Sequence, residues 1–198
     1  MSRVSRYHPM LVALHWLLAL LIPAALGLGA LVMAKMSNND PMKIEALRSH
    51  MLGGGLIVLL MLTRLLVRRS STHPAKAPTG NAVLDRLAWV SHRMFYPAVF
   101  MMAGTGVLLA WQTDLFNIVF GGHGSLPPDF WAFTPRTLHY LLSRALMGLI
   151  ALHVAGALFH TFVLRDGLLR RMSFGRRAVP AAEPTTQALA PQLSKVRR

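Results

Sequence analysis

The chain has 198 residues, 54% of them hydrophobic and only 14% charged, where soluble domains carry about 25% charged residues. Its formal charge of +14 does not read as a nucleic-acid footprint, because Lys and Arg fall in the gaps between apolar runs and in the tail, as topology determinants do. The lack of cysteine excludes disulfides, thiolate-held iron–sulfur clusters, blue-copper sites and covalently attached c-type haem, leaving nine histidines as the common transition-metal ligands.

Met1 to Pro9 is short and basic, with Arg3 and Arg6. Met10 to Ala34 is apolar, interrupted by His15 and Pro23. This run is too long for a secretory signal and long enough to span, so it predicts a retained first helix over about 10–34. Lys35 to Glu45 is a polar loop. A second span covers about 47–67, with His50 near its start, Gly53-Gly54-Gly55 after it, and Arg68 and Arg69 at its end. Residues 70–84 are rich in Ser, Thr, Pro, Gly and Asn, which marks a loop. A third span covers about 87–111, entered by His92 and Arg93, with Gly104 and Gly106 deeper. A longer loop follows, and a fourth span covers about 138–164. After Met172 the chain turns rich in Ala, Pro, Gln and Thr, which predicts a disordered cytoplasmic tail over 173–198. Residues 1–172 thus form one all-α, four-helix transmembrane domain.

The N-terminus, the 68–93 segment and the C-terminal segment hold most of the Lys and Arg. The 35–48 and 112–136 segments hold Lys35, Lys43, Arg48 and Arg136. The positive-inside rule predicts both termini in the cytoplasm.

Ionisable residues inside a membrane are functional candidates by default. His139 and His153 lie fourteen residues apart on the fourth span. That is about 21 Å of rise, with the two rings returning to one face, most closely at the 3.5-residue period of a left-handed bundle. One ring therefore sits in each leaflet. Depth selects the partners. His15, near the cytoplasmic start of the first helix, meets His153. His50, near the outer start of the second, meets His139. Pairing His15 with His139 would place ligands at opposite faces. Two imidazoles from facing helices suit a haem, with Gly53, Gly54, Gly104, Gly106, Gly148 and Gly156 able to open room for its edge; close helix packing explains such glycines equally well. Zinc would need ligands converging on one point rather than two layers. With both axial positions filled by His, the iron has no vacant site for oxygen, and the expected work is electron transfer. His92 and His160 are candidates for a quinone or propionate environment. Arg48, Arg93, Arg136 and Arg144 are candidates for haem edges, or anchor helix ends. His8, His73 and His123 are loop residues without an assigned role, and no catalytic residue is assigned.

Leu14-His15-Trp16, Arg48-Ser49-His50, Leu138-His139, Leu152-His153-Val154-Ala155 and Leu158-Phe159-His160 together resemble the bacterial cytochrome b561 family, over about residues 5–172 and with four helices in the same order. The resemblance implies two b haems, one on His15 and His153 and one on His50 and His139, in a multi-pass protein of the inner membrane. It also implies an oxidoreductase: some members resemble superoxide oxidases, which pass electrons from periplasmic superoxide to ubiquinone. An outer surface that collects an anion should be positive, whereas Lys35, Lys43, Arg48 and Arg136 are nearly balanced by Asp40, Glu45, Asp114 and Asp129. The alternative is a cytochrome b membrane anchor that carries electrons for a separate dehydrogenase or hydrogenase subunit as redox partner. A non-redox scaffold with histidines as interhelical glue is the third reading.

Overall fold

The computed structural model describes residues 4–75 and 77–175. Helices make up most of it, with no strand among the described residues. Four are long and apolar enough to cross a membrane: α1 (Pro9–Met33), α2 (Met42–Ser70), α3 (Ala82–Gln112) and α4 (Thr134–Leu164). A short α5 (Leu168–Arg171) follows.

α2, α3 and α4 begin four to five residues before the apolar runs that reveal them, because polar residues cap the first turns of α2 and α3 and a proline starts α4. Asn81 Oδ1 accepts from the backbone N–H groups of Val83 and Leu84, Asp40 Oδ1 accepts from Met42 N at 2.8 Å, and Pro135 stands in the first turn of α4. All three are standard helix-start chemistry. At the start of α1, His8 Nδ1 accepts from Met10 N. The last turns of α1 and α4 widen into π-helix at Leu28–Met33 and His160–Leu164. The tail expected to be disordered lies, from residue 176 onward, outside the described residues.

α1 packs along α2, and α3 along α4. The two pairs close on a core drawn from all four helices: Leu18 and Leu26, Ile57 and Met61, Val99, and Leu146. The outward faces stay apolar, with Leu20, Leu59, Leu66 and Phe162 each more than half exposed. Such a surface suits hydrocarbon rather than water.

The two ends differ. At the lower end the termini meet: Tyr7 N donates to Arg171 O at 3.1 Å, Arg6 Nη1 to Ser173 Oγ at 2.6 Å, and Arg171 Nη1 to the Ala75 carbonyl of the α2–α3 loop at 2.6 Å. At the upper end the α3–α4 loop folds back as a cap. Its Leu115, Ile118 and Val119 are buried against Leu47 and Ala110. Gly122 (φ 72°) and Gly124 (φ 90°) supply the left-handed backbone that turns the loop there. Asn38 Nδ2 donates to the Pro127 carbonyl at 2.9 Å, tying the α1–α2 loop to the cap.

Candidate functional site

Near the upper end, His50 of α2 faces His139 of α4 with ring centroids 6.1 Å apart. Two metal–imidazole bonds of about 2 Å each, plus the half-widths of two rings, span roughly that separation. His139 Nδ1 lies 3.1 Å from the Met102 carbonyl oxygen and 3.1 Å from Thr105 Oγ1. A carbonyl only accepts, so Nδ1 carries the proton and donates, which leaves the Nε2 lone pair free to bind. Thr105 gives its own proton to the Met102 carbonyl at 2.8 Å, so its oxygen can accept from the ring. His50 Nδ1 is buried without a hydrogen-bond partner. A buried polar atom in that condition is costly unless a partner or ligand engages that nitrogen itself.

Two glycines shape this site. A Cβ on Gly106 would stand 3.3 Å from His139 Cε1, and one on Gly29 would stand 3.5 Å from His50 Cε1. Gly53, Gly104, Gly148 and Gly156 would meet nothing within 4 Å. The rings flank a cavity of about 470 Å³ whose charged lining residues are Lys43, Arg136 and Arg144, with no carboxylate among them. The acids of this end are engaged elsewhere. Glu45 pairs with Arg48, Asp40 and Asp129 cap helical turns, and Asp114 accepts from Asn117. Lys43 Nζ donates to the Met33 and Met36 carbonyls at the end of α1. Arg136 lies 4.4 Å over the Trp131 ring and Arg144 4.8 Å over Tyr140.

Near the lower end, His15 of α1 faces His153 of α4, also at 6.1 Å between centroids. His153 meets the edges of His92 at 5.1 Å and Phe95 at 5.3 Å. Trp16, beside His15, donates from Nε1 to the Met172 carbonyl at 2.8 Å. Between the two pairs lie Ile57, Val99 and Leu146. Leu146 is seven residues from both His139 and His153, Ile57 seven after His50, and Val99 seven after His92. Seven residues are about 10 Å of helix rise, so an apolar layer sits midway. Among the described residues no three His, Cys, Asp or Glu side chains converge as a metal cage requires. Each pair offers two imidazole rings 6.1 Å apart, which suits a metal whose other ligands come with it.

A family model described as prokaryotic cytochrome b561 matches residues 6–175. The chain belongs to the prokaryotic cytochrome b561 family. Similar curated proteins include the probable superoxide oxidase CybB of Yersinia pestis, 29% identical over 172 residues that cover 85% of this chain and 96% of the relative. Cytochrome b561 homolog 2 of Escherichia coli (strain K12) is 27% identical over 181 residues, covering 85% and 91%. Membership makes the chain a membrane cytochrome b, an electron-transfer protein that binds haem b. The residues present fit that group: paired imidazoles at axial separation, one with its tautomer fixed by α3, and glycines against the rings.

Other side chains singled out in this b561 sequence lie as follows. Arg48 is outside the cavity lining. Its Nε and Nη2 donate to the Val119 carbonyl at 3.2 and 2.7 Å, so it clamps the cap. Arg93 stacks on Trp89. His92 is exposed and hydrogen-bonds the Ala88 carbonyl of its own helix. His160 is buried, and its Nδ1 lies 2.6 Å from Asp166 Oδ2, which Arg165 and Gly167, both at positive φ, turn back toward it. Partial burial works to raise the Asp166 carboxyl, but hydrogen bonds from His160 and from Leu168 N outweigh it and hold the carboxyl below its usual range.

Arg64 was missed by sequence reasoning, which took Arg68 and Arg69 as the end of the span. It stands within α2, donates from Nη1 to Tyr96 Oη at 2.5 Å, and lies 5.7 Å from the Tyr96 ring centre. An ionisable residue within a membrane span is a functional candidate by default, and that was the available signal. Met102 and Thr105 were also missed, because only the α3–α4 packing reveals their contact with His139.

Proposed function

We propose that this cytochrome b561 holds two b haems, one that His50 and His139 would hold and the other that His15 and His153 would hold, and carries electrons from a periplasmic donor to ubiquinone. The paired 6.1 Å imidazole separations at two depths support the ligand sets. The orientation, with both termini in the cytoplasm of a bacterial inner membrane, rests on the Lys and Arg clustered at the lower end. When bound, haem would supply one-electron iron chemistry. The chain's part is to fix the rings, keep the middle layer apolar and place one pair near each surface.

Superoxide is the donor this reading favours. The observation that carries it is the upper cavity, whose charged lining is Lys43, Arg136 and Arg144 without a carboxylate. The near balance of charges in the upper loops does not extend to the cavity lining, because Asp40, Glu45, Asp114 and Asp129 all lie outside it. The name of the Yersinia relative, probable superoxide oxidase, points the same way. Two superoxide anions give up one electron each and leave as O₂; the quinone takes both electrons with two protons from the cytoplasmic side. His92 and His160 are the lower-end candidates for the quinone or propionate environment.

Stopped-flow mixing of the purified chain with superoxide and a ubiquinone analogue tests this reading. It predicts rapid haem reduction followed by quinol formation with no second protein. A chain that stays oxidised until a dehydrogenase or hydrogenase subunit is added is instead a membrane anchor.

A further inference from the structure

The four long helices share one register. Each places one residue in an upper layer and one in a lower layer, fourteen residues apart: Gly29 and His15 on α1, His50 and Arg64 on α2, Gly106 and His92 on α3, His139 and His153 on α4. Contacts bear out the layering. Gly29 lies against His50 and Gly106 against His139. His92 and His15 both meet His153, and Arg64 is close enough to act electrostatically on His15, His92 and His153. In the upper layer the positions beside the histidine pair are glycine. In the lower layer they are His92 and a guanidinium.

Arg64 is six residues from the end of α2 at Ser70, about 9 Å along the axis. Its guanidinium is turned onto Tyr96 of α3, and no carboxylate among the described residues pairs with it. Arginine carries five N–H donors, far more than one phenol oxygen can use. Tyr96 accepts from Arg64, so its own O–H proton remains to be donated. A guanidinium and a phenol side by side in a low-dielectric layer form a carboxylate-binding arrangement. Within membrane-spanning segments the carboxylate must come from a group bound there, and haem b carries two propionates.

We propose that Arg64, with Tyr96, binds a propionate carboxylate of the haem held by His15 and His153. This rests on the two-haem reading and adds a residue that reading leaves idle. The experiment uses the detergent-purified full chain and reads haem content and the midpoint potential of each haem in redox titrations. Arg64→Gln removes a positive charge that favours the reduced iron, so the lower haem should titrate at a lower potential while the upper haem is unchanged. Arg64→Lys should recover most of the shift, and Tyr96→Phe should give a smaller one in the same direction. Titrations in a His50→Ala background identify which haem has moved. Loss of the lower haem in Arg64→Gln, restored by Arg64→Lys, supports the proposal too. If both haems are bound and neither potential moves in Arg64→Gln, the proposal is overturned. Should that variant not accumulate, an unchanged lower-haem potential in Tyr96→Phe overturns it equally. Wild-type protein without two haems instead strikes the reading on which this rests.

Discussion

Gly106 lies flat against His139: a Cβ built at 106 would come 3.3 Å from Cε1 and 3.5 Å from Nδ1 of the ring. The ring cannot simply retreat, because Met102 and Thr105 on the same helix hold its Nδ1. Gly106→Val should therefore displace the imidazole and lower the content of one haem by about half or more. Gly104→Ala, with nothing within 4 Å of its new Cβ, should leave the haem content at the wild-type level. Haem quantification on the two variants checks the contrast; equal effects would place the constraint elsewhere.

Thr105 offers a second test of the same ring. Thr105→Val removes one acceptor from the His139 N–H but leaves the Met102 carbonyl, so the tautomer is kept and haem stays bound. A weaker hydrogen bond to Nδ1 makes the imidazole a poorer donor to iron. The midpoint potential of the upper haem should rise, measured by redox titration. A fall in that potential would contradict the assigned donor and acceptor roles.

Arg48 separates a clamp from a haem partner. Its guanidinium holds the carbonyl of Val119, which is 0% exposed. Arg48→Ala strands that carbonyl, a loss of about 1–3 kcal/mol. The variant should melt earlier in detergent and be cut faster by protease within residues 113–133, with the haem absorption spectrum unchanged. A shifted spectrum with an intact cap would show that Arg48 serves the haem instead.

The spans were legible because an apolar run of bilayer length, with almost no charge to solvate, is stable as a helix in hydrocarbon and hardly anywhere else. Their first turns were not, since Asn81 and Asp40 look like loop residues until their side chains cap the backbone. Depth along each span was enough to match His15 with His153 and His50 with His139, pairs whose rings do face each other. Three features needed tertiary packing: the cap pinned by Arg48, the contact of Thr105 with His139, and the inward turn of Arg64 onto Tyr96. Arg64 did leave a trace, the same fourteen-residue interval after His50 that separates His139 from His153.

The cavity charges bear on the donor. Removing Arg136 and Arg144 together as Gln variants should slow reduction by superoxide about tenfold at low ionic strength and flatten its salt dependence. Reduction by a neutral donor should hold its rate. Stopped-flow traces at several salt concentrations read both, and an unchanged superoxide rate would remove electrostatic collection from the account.

The central claim is two histidine pairs, two haems. Pyridine haemochrome quantification of the purified chain and of its His15→Ala, His50→Ala, His139→Ala and His153→Ala variants measures it directly. The account predicts two haems b per wild-type chain and about one in each variant, with His50→Ala and His139→Ala leaving the same spectrum and His15→Ala and His153→Ala leaving the other. A single haem in the wild type, or His50→Ala matching the spectrum of His153→Ala, would contradict it.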